Sequence, residues 1–356
     1  DGGFHPGCAT IAAALAVAQH HKQAGLVFLR AVIAGDEVSS RISSAMGRDH
    51  YRFWHTTGTI ATFGAAAAAA LLLKLDRHQT AHALSTSATL AAGLQQAFRS
   101  DGMSKPLHSA HAAEIGVMAA MVAAKGVTGA LDVLEGPVGM GMAMSGAADW
   151  TKATAGLSEN YNIEAITFKN HGCCGHTFAA IDGILALMTS TQIKVDEVAS
   201  IDIGTYGPAV YVTDRSNPKT SQECKFSMQY VVAHAAYFGS VRIDAFELVR
   251  MQNPEIRALM PKISLTVDQE IDDQFPTRRA ARVTVISKAG DVFTHDQHTR
   301  KGDPDLPLSD EELDEKFVEL TLPVLGTQSA DKLLQHLWRL DQIDLSACLT
   351  YAIPSE

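Results

Sequence analysis

The N-terminal part of this 356-residue chain alternates short polar, glycine-bearing segments with long runs of alanine, leucine and valine. The runs read as helices. Residues 9–23 are apolar at nearly every position, which predicts a helix buried all round and broken at Gly25. Residues 26–46 form a second, with Glu37 and Arg41 at i,i+4 spacing on one face. Residues 61–75 contain six consecutive alanines; alanine is the best helix former, and its small side chain lets helices approach closely. Residues 80–95 and 111–125 continue the pattern, and 130–134 reads as a short helix.

Further along, the period changes. Residues 198–205, 209–213, 263–267, 281–287 and 291–298 read as strands, the last two as a hairpin turned at Ala289-Gly290. Residues 221–238 are apolar enough for a buried helix. Ser309-Asp310-Glu311-Glu312 is a capping box ahead of a helix to 320, and 331–340 reads as an amphipathic terminal helix. The pattern predicts a mainly α protein with an α+β second domain: a helical domain over 1–164, a smaller α+β domain over 165–325, and C-terminal helices over 326–356 that return to the first domain.

The polar segments carry the chemistry. They supply His5, His55, Arg99, Lys105, His108, Lys169, His171 and His176, and several of them open directly into an apolar helix. The densest, 168–182, lies where alanine-rich helix gives way to β-branched strands. A loop that delivers polar groups to a helix start suits a carboxylate, because the first turn has unpaired N–H groups and partial positive charge. A polar loop at a domain junction is also a usual place for a small-molecule site. If these loops converge, lysines and arginine hold carboxylates by charge-assisted hydrogen bonds. Histidines would take and return protons near neutral pH. Such a set supports removal of a proton α to a carboxylate, with the developing enediolate held by cations. Loss of a β-hydroxyl, reprotonation on the other face, or loss of CO₂ to a similar anion are the possible outcomes.

Competing readings are weaker. A zinc site from His171, Cys173, Cys174 and His176 lacks a second ligand pair at the usual spacing. Gly139-Met140-Gly141-Met142 does not follow a clear strand, so it makes a poor dinucleotide loop. A net charge of −10 argues against nucleic acid or an anionic membrane surface as partner. The longest apolar run, 60–73, falls short of the roughly 20 residues a bilayer requires. Five cysteines, two of them adjacent, read as reduced thiols in a cytoplasmic protein.

Several motifs together resemble the MmgE/PrpD family of 2-methylcitrate dehydratases, cis-aconitate decarboxylases and iminodisuccinate epimerases. They are Gly3-Phe4-His5-Pro6-Gly7, Trp54-His55-Thr56-Thr57-Gly58-Thr59 with Phe63-Gly64-Ala65, Met103-Ser104-Lys105-Pro106-Leu107-His108, and Lys169 through Asp182. Lys225-Phe226-Ser227-Met228-Gln229-Tyr230 and Arg278-Arg279-Ala280-Ala281-Arg282-Val283 follow in order. The resemblance implies a helical domain and an α+β lid with the site at their interface, a homodimer, and no metal or other cofactor. It implies that His5, His55, Lys105 and Lys169 are catalytic, the lysines binding carboxylates and the histidines serving as acid and base. Arg99, His108, His176 and Tyr211 are expected to bind substrate. Two departures stand out. An Asp-Asp-Thr-like segment that precedes the Gly-Phe-His-Pro motif in the family is not in this chain, which begins at Asp1, so part of the site and an N-terminal helical region are expected to be missing. Phe178 stands where many members have histidine. The expected function is a metal-independent lyase on a small di- or tricarboxylate, of the 2-methylcitrate dehydratase type. The alternatives are a cis-aconitate decarboxylase, an iminodisuccinate-type epimerase, and a catalytically silent carboxylate-binding homologue.

Overall fold

The computed structural model describes residues 3–98 and 103–352. Its contacts divide the chain into two compact units, Asp1–Ala165 with Leu313–Glu356, and Ile166–Glu312.

The first unit is helical. Its long helices are α1 (Pro6–His20), α2 (Gly25–Met46), α3 (Ala61–Leu72), α4 (Arg77–Leu90) and α5 (Lys105–Ala124). The alanine run makes α3 the centre: residues 65–70 are all buried, and α1, α2, α4 and α5 pack around it. Small side chains set that spacing. A Cβ on Gly116 of α5 would lie 2.4 Å from Ala65 Cβ, so the crossing requires glycine there. The Glu37–Arg41 pair at i,i+4 spacing is formed, at 2.6 Å, and it is buried. Arg41 also donates to the carbonyls of Ala155 and Asn160, and Glu37 accepts the Asn162 N–H, so the pair ties residues 155–162 to α2.

The second unit holds α6 (Phe178–Thr191), β1 (Val198–Thr205), α7 (Gly207–Thr213), α8 (Met228–Phe238), β2 (Ile263–Val267), β3 (Ala281–Ser287) and β4 (Val292–Gln297). The sheet order is β2-β1-β3-β4, with β1 parallel to β2 and antiparallel to β3, and a register shift between Val198 and Ser200. β3 alternates strictly between buried and half-buried positions, and α6 packs against β3 and β4. The core joins Phe178, Ile181 and Ile184 of α6 to Ile201, Ile203, Val283 and Val285 of the sheet.

Several expected elements differ. Residues 209–213 belong to a helix and not a strand, because Pro208 sits in its first turn, where a missing N–H costs nothing. The expected helix over 111–125 begins at Lys105, with Pro106 in the same role, so Lys105 and His108 stand on a helix and not in a loop. The helix over 80–95 starts at Arg77, capped by Asp76, which accepts from the His78 and Gln79 N–H groups. The stretch 221–238 is broken ahead of α8 by Ser227, whose hydroxyl accepts the Tyr230 N–H. The expected short helix over 130–134 is not formed; residues 131–134 are turns. The two C-terminal helices follow one another directly as α9 (Asp310–Leu337), kinked where Gly326 leaves helical backbone with φ 73°. Helix α1 is not buried all round, since Ile11 is 46% exposed. By length and composition α5, not 60–73, is the apolar stretch that could cross a bilayer; here its Ala112, Gly116, Ala119, Ala120 and Ala123 are buried, and it packs against α3 and α4.

Candidate active site

Each unit carries one cluster of the expected residues. In the helical unit, His5 precedes α1 and is fixed twice to Thr57: its backbone N–H donates to Thr57 Oγ1 at 3.1 Å, and its ring Nδ1 lies 3.1 Å from the same oxygen. His55 leads into the short turn Thr56–Thr59, and its N–H donates to the Gly93 carbonyl. Its Nδ1 lies 2.9 Å from Nδ1 of His108, which α5 presents one turn after Lys105.

Two ring nitrogens at that distance share one proton. When His55 Nδ1–H donates, His108 Nδ1 accepts, and a neutral His108 carries its proton on Nε2. The outer nitrogen of one ring is then an acceptor and that of the other a donor, which is the arrangement of a proton relay. Burial, then the charges of Lys105, His108 and His5, lower the His55 pKa to about 3. Burial, His111 and Lys105 lower that of His108. The pair is therefore neutral at pH 7, ready to accept a proton at one end and give one at the other. An open hollow of about 490 Å³ lies alongside, with His108 and His111 in its wall. His50 has a structural role: its ring nitrogens lie 2.8 Å from Thr59 Oγ1 and 3.3 Å from the Met144 carbonyl, and burial lowers its pKa to about 4.

In the second unit the Lys169 loop is pinned along its length. Phe168 N–H donates to the Gly302 carbonyl, Gly172 N–H to Val241, and Cys174 N–H to Lys225. Arg242 donates to the Asn170 carbonyl at 2.6 Å. Gly302 has φ 95°, and a Cβ there would lie 2.1 Å from the Phe168 carbonyl oxygen, so glycine is required next to the loop. His171 turns inward, to Asp182 at 2.8 Å and edge-on against Phe178. Asp182 also accepts the Lys301 N–H. Lys169 itself is exposed.

His176 has Nδ1 2.8 Å from the hydroxyl of Tyr206, a fully buried tyrosine stacked on Phe275 with centroids 4.5 Å apart. Burial, with the charges of Arg279, Arg300 and Lys169, lowers the His176 pKa to about 4. Burial raises that of Tyr206 far above its ordinary value, so the phenol keeps its proton. Arg300 is committed to Asp303 and to the Gly175 carbonyl.

The structure thus brings His55 and His108 into contact, sets the charges of Lys105 and His5 on that pair, and sets the charge of Lys169 on His176. Tyr211 is 81% exposed on α7; the tyrosine that touches His176 is Tyr206. Arg99 lies outside the described residues. Three of the four residues of the zinc reading diverge: His171 faces Asp182, His176 faces Tyr206, and Cys173 is buried with its thiol pKa pushed up to about 12. Among the described residues no three His, Cys, Asp or Glu side chains are grouped to hold a metal ion. Thr57, Asp182, Tyr206 and Arg279 took part in no expected role. Their contribution comes from approaches such as Tyr206 to His176, 30 residues apart, that no local motif encodes.

The matches to known proteins span both units. The MmgE/PrpD N-terminal domain matches residues 1–153 and the MmgE/PrpD C-terminal domain matches residues 171–342. The chain is 26% identical to human cis-aconitate decarboxylase over 360 aligned positions, covering 97% of this chain and 73% of that protein. It is 27% identical to the cis-aconitate decarboxylase-like protein oryM of Aspergillus oryzae, over 91% of this chain and 71% of that protein. Mouse cis-aconitate decarboxylase is 24% identical, over 94% and 70%. With both domains matched in order and the histidine and lysine motifs in place, the chain belongs to the MmgE/PrpD family.

Proposed function

We propose that this protein is an enzyme acting on a small polycarboxylate, and that its reaction is loss of CO₂ of the cis-aconitate decarboxylase type. The observation that carries the reading is the neutral His55–His108 pair beside Lys105, whose outer ring nitrogens offer one acceptor and one donor, the proton path that protonation of carbon requires. The named relatives favour decarboxylation over the dehydration of 2-methylcitrate expected from the motifs, since those relatives bear the decarboxylase name.

The chemistry balances without a redox partner. The bond from carbon to the departing carboxylate breaks, and its electron pair enters the neighbouring unsaturated carboxylate as an extended enolate. A proton then adds to carbon and CO₂ leaves. Lys105, one helical turn before His108, supplies a cation for a remaining carboxylate and for the charge that grows on it. His5 and the His55–His108 pair supply the proton.

The test is incubation of the chain with cis-aconitate, citrate and 2-methylcitrate in deuterated buffer, followed by proton NMR. The reading expects one deuterium incorporated per turnover of cis-aconitate, and a drop of at least about 100-fold for His55→Gln, the size usual for a general acid–base group. Turnover of 2-methylcitrate with loss of water, and none of cis-aconitate, would return the dehydratase. Exchange without net reaction would indicate an epimerase. No exchange on any compound would indicate a silent homologue.

A further inference from the structure

Tyr206 was no part of the expected site, and its surroundings define its hydrogen bond. The residue follows β1 at the cap of α7, is 1% exposed, and lies flat on Phe275 with an interplanar angle of 10°. Among the described residues its hydroxyl has a single hydrogen-bond partner, His176 Nδ1 at 2.8 Å. Two arrangements fit that distance. If the imidazole Nδ1–H donated, the phenol proton would be buried with no acceptor, and a strong donor left unsatisfied in the interior is disfavoured. If the phenol donates, both groups are satisfied and the ring proton moves to Nε2. His176 is half-buried, and its Nε2 makes no hydrogen bond among the described residues.

We propose that Tyr206 is a positioning residue that holds His176 as its neutral Nε2–H tautomer, so that His176, beside Arg279 and Lys169, offers a hydrogen-bond donor to a carboxylate of the substrate. The inference rests on the carboxylate reading above and adds a specificity element to it. The tautomer decides the sign of the contact. A lone pair on Nε2 would repel a carboxylate oxygen, whereas an N–H attracts it. Neutrality follows from the setting: burial opposes a charge on His176, and so do the same positive charges that attract an anion. The site gains a directed donor without adding a further buried charge.

The test uses the full chain labelled with ¹⁵N-histidine, with the His176 signals assigned by their loss in His176→Gln. Long-range ¹H–¹⁵N correlation at pH 7 reads the tautomer directly. The expected spectrum shows neutral His176 protonated on Nε2. Citrate should shift that signal on binding. Tyr206→Phe keeps the stack on Phe275 and should give a tautomer mixture with citrate binding weakened about tenfold, equivalent to about 1.4 kcal/mol. His176→Gln, which keeps a donor near the Nε2 position, should bind citrate within about threefold of wild type, while His176→Leu should lose about tenfold, the range expected for one hydrogen bond to a charged group. An Nδ1–H tautomer or an imidazolium in the wild type overturns the proposal. So does an unchanged tautomer in Tyr206→Phe, or no response of His176 to citrate. Failure of cis-aconitate turnover alone would sink the decarboxylase reading and leave this one standing, because the spectrum and the citrate titration need no reaction.

Discussion

Asp36 offers the sharpest test of the energetics. It lies on α2 in the helical core, 5% exposed, and its Oδ1 has no hydrogen-bond partner among the described residues. Burial raises its pKa from 3.8 to about 6, and the nearby Thr10 hydroxyl offsets only part of this. The folded state therefore holds the proton more tightly than the unfolded state, and keeping Asp36 ionised at pH 7 costs about 3 kcal/mol. Asp36→Asn keeps the shape and removes the charge, and its amide can donate to Thr10 Oγ1, itself buried without a partner. The sign follows from proton linkage. Between about pH 6 and pH 4 the wild type gains stability on acidification, because the folded state binds more protons; the variant has no such gain. Chemical denaturation should show Asp36→Asn more stable by up to about 3 kcal/mol at pH 7 and about 1.5 kcal/mol at pH 5, with the difference vanishing near pH 3. A variant less stable at pH 7, or a difference that does not change with pH, would refute the reasoning.

Two further outcomes follow from the same structure. His50 and His55 have folded pKa values of about 4 and about 3 against 6.5, so their stabilising neutral state is fully present above pH 6.5 and lost as the pH falls through that window. Each should contribute about 2 kcal/mol of destabilisation between pH 7 and pH 5, partly offset by Asp36; calorimetry should show a falling Tm, steeper in Asp36→Asn, and a Tm that rises would contradict this. Asp182→Asn weakens the buried contact to His171 and should cost about 1.5–3 kcal/mol, the worth of hydrogen bonds to a charged group. Hydrogen exchange should then accelerate at the Gly172 and Cys174 amides, which hold the Lys169 loop in place; unchanged protection there would show that Asp182 does not anchor the loop.

Much of this architecture is legible in the sequence where one signal dominates. The alanine run of α3 and the alternation of β3 each point to one answer, and the Ser309 capping box is formed by reciprocal bonds with Glu312. The misreadings share a cause. Pro106 and Pro208 look like loop signals, but each stands in the first turn of a helix, where proline is favoured. At 209–213 the valines favour a strand, and Pro208 in the first turn of a helix overrides that preference. The candidate site was legible only in part. Histidines and lysines in polar motifs announce themselves, and the fold sets His55 against His108. Tyr206 and Asp182 do not, because their chemistry depends on what the fold places against them. Tyr211 was the more visible tyrosine by position, yet it is the exposed one.

The most direct test of the central claim is release of labelled CO₂ from carboxyl-labelled cis-aconitate by the purified chain, with Lys105→Ala and His55→Gln measured alongside. The account predicts CO₂ release by the wild type and its loss in both variants, with their folds intact by circular dichroism. CO₂ release that survives both substitutions, or none from a folded wild type that does turn over another polycarboxylate, would contradict it.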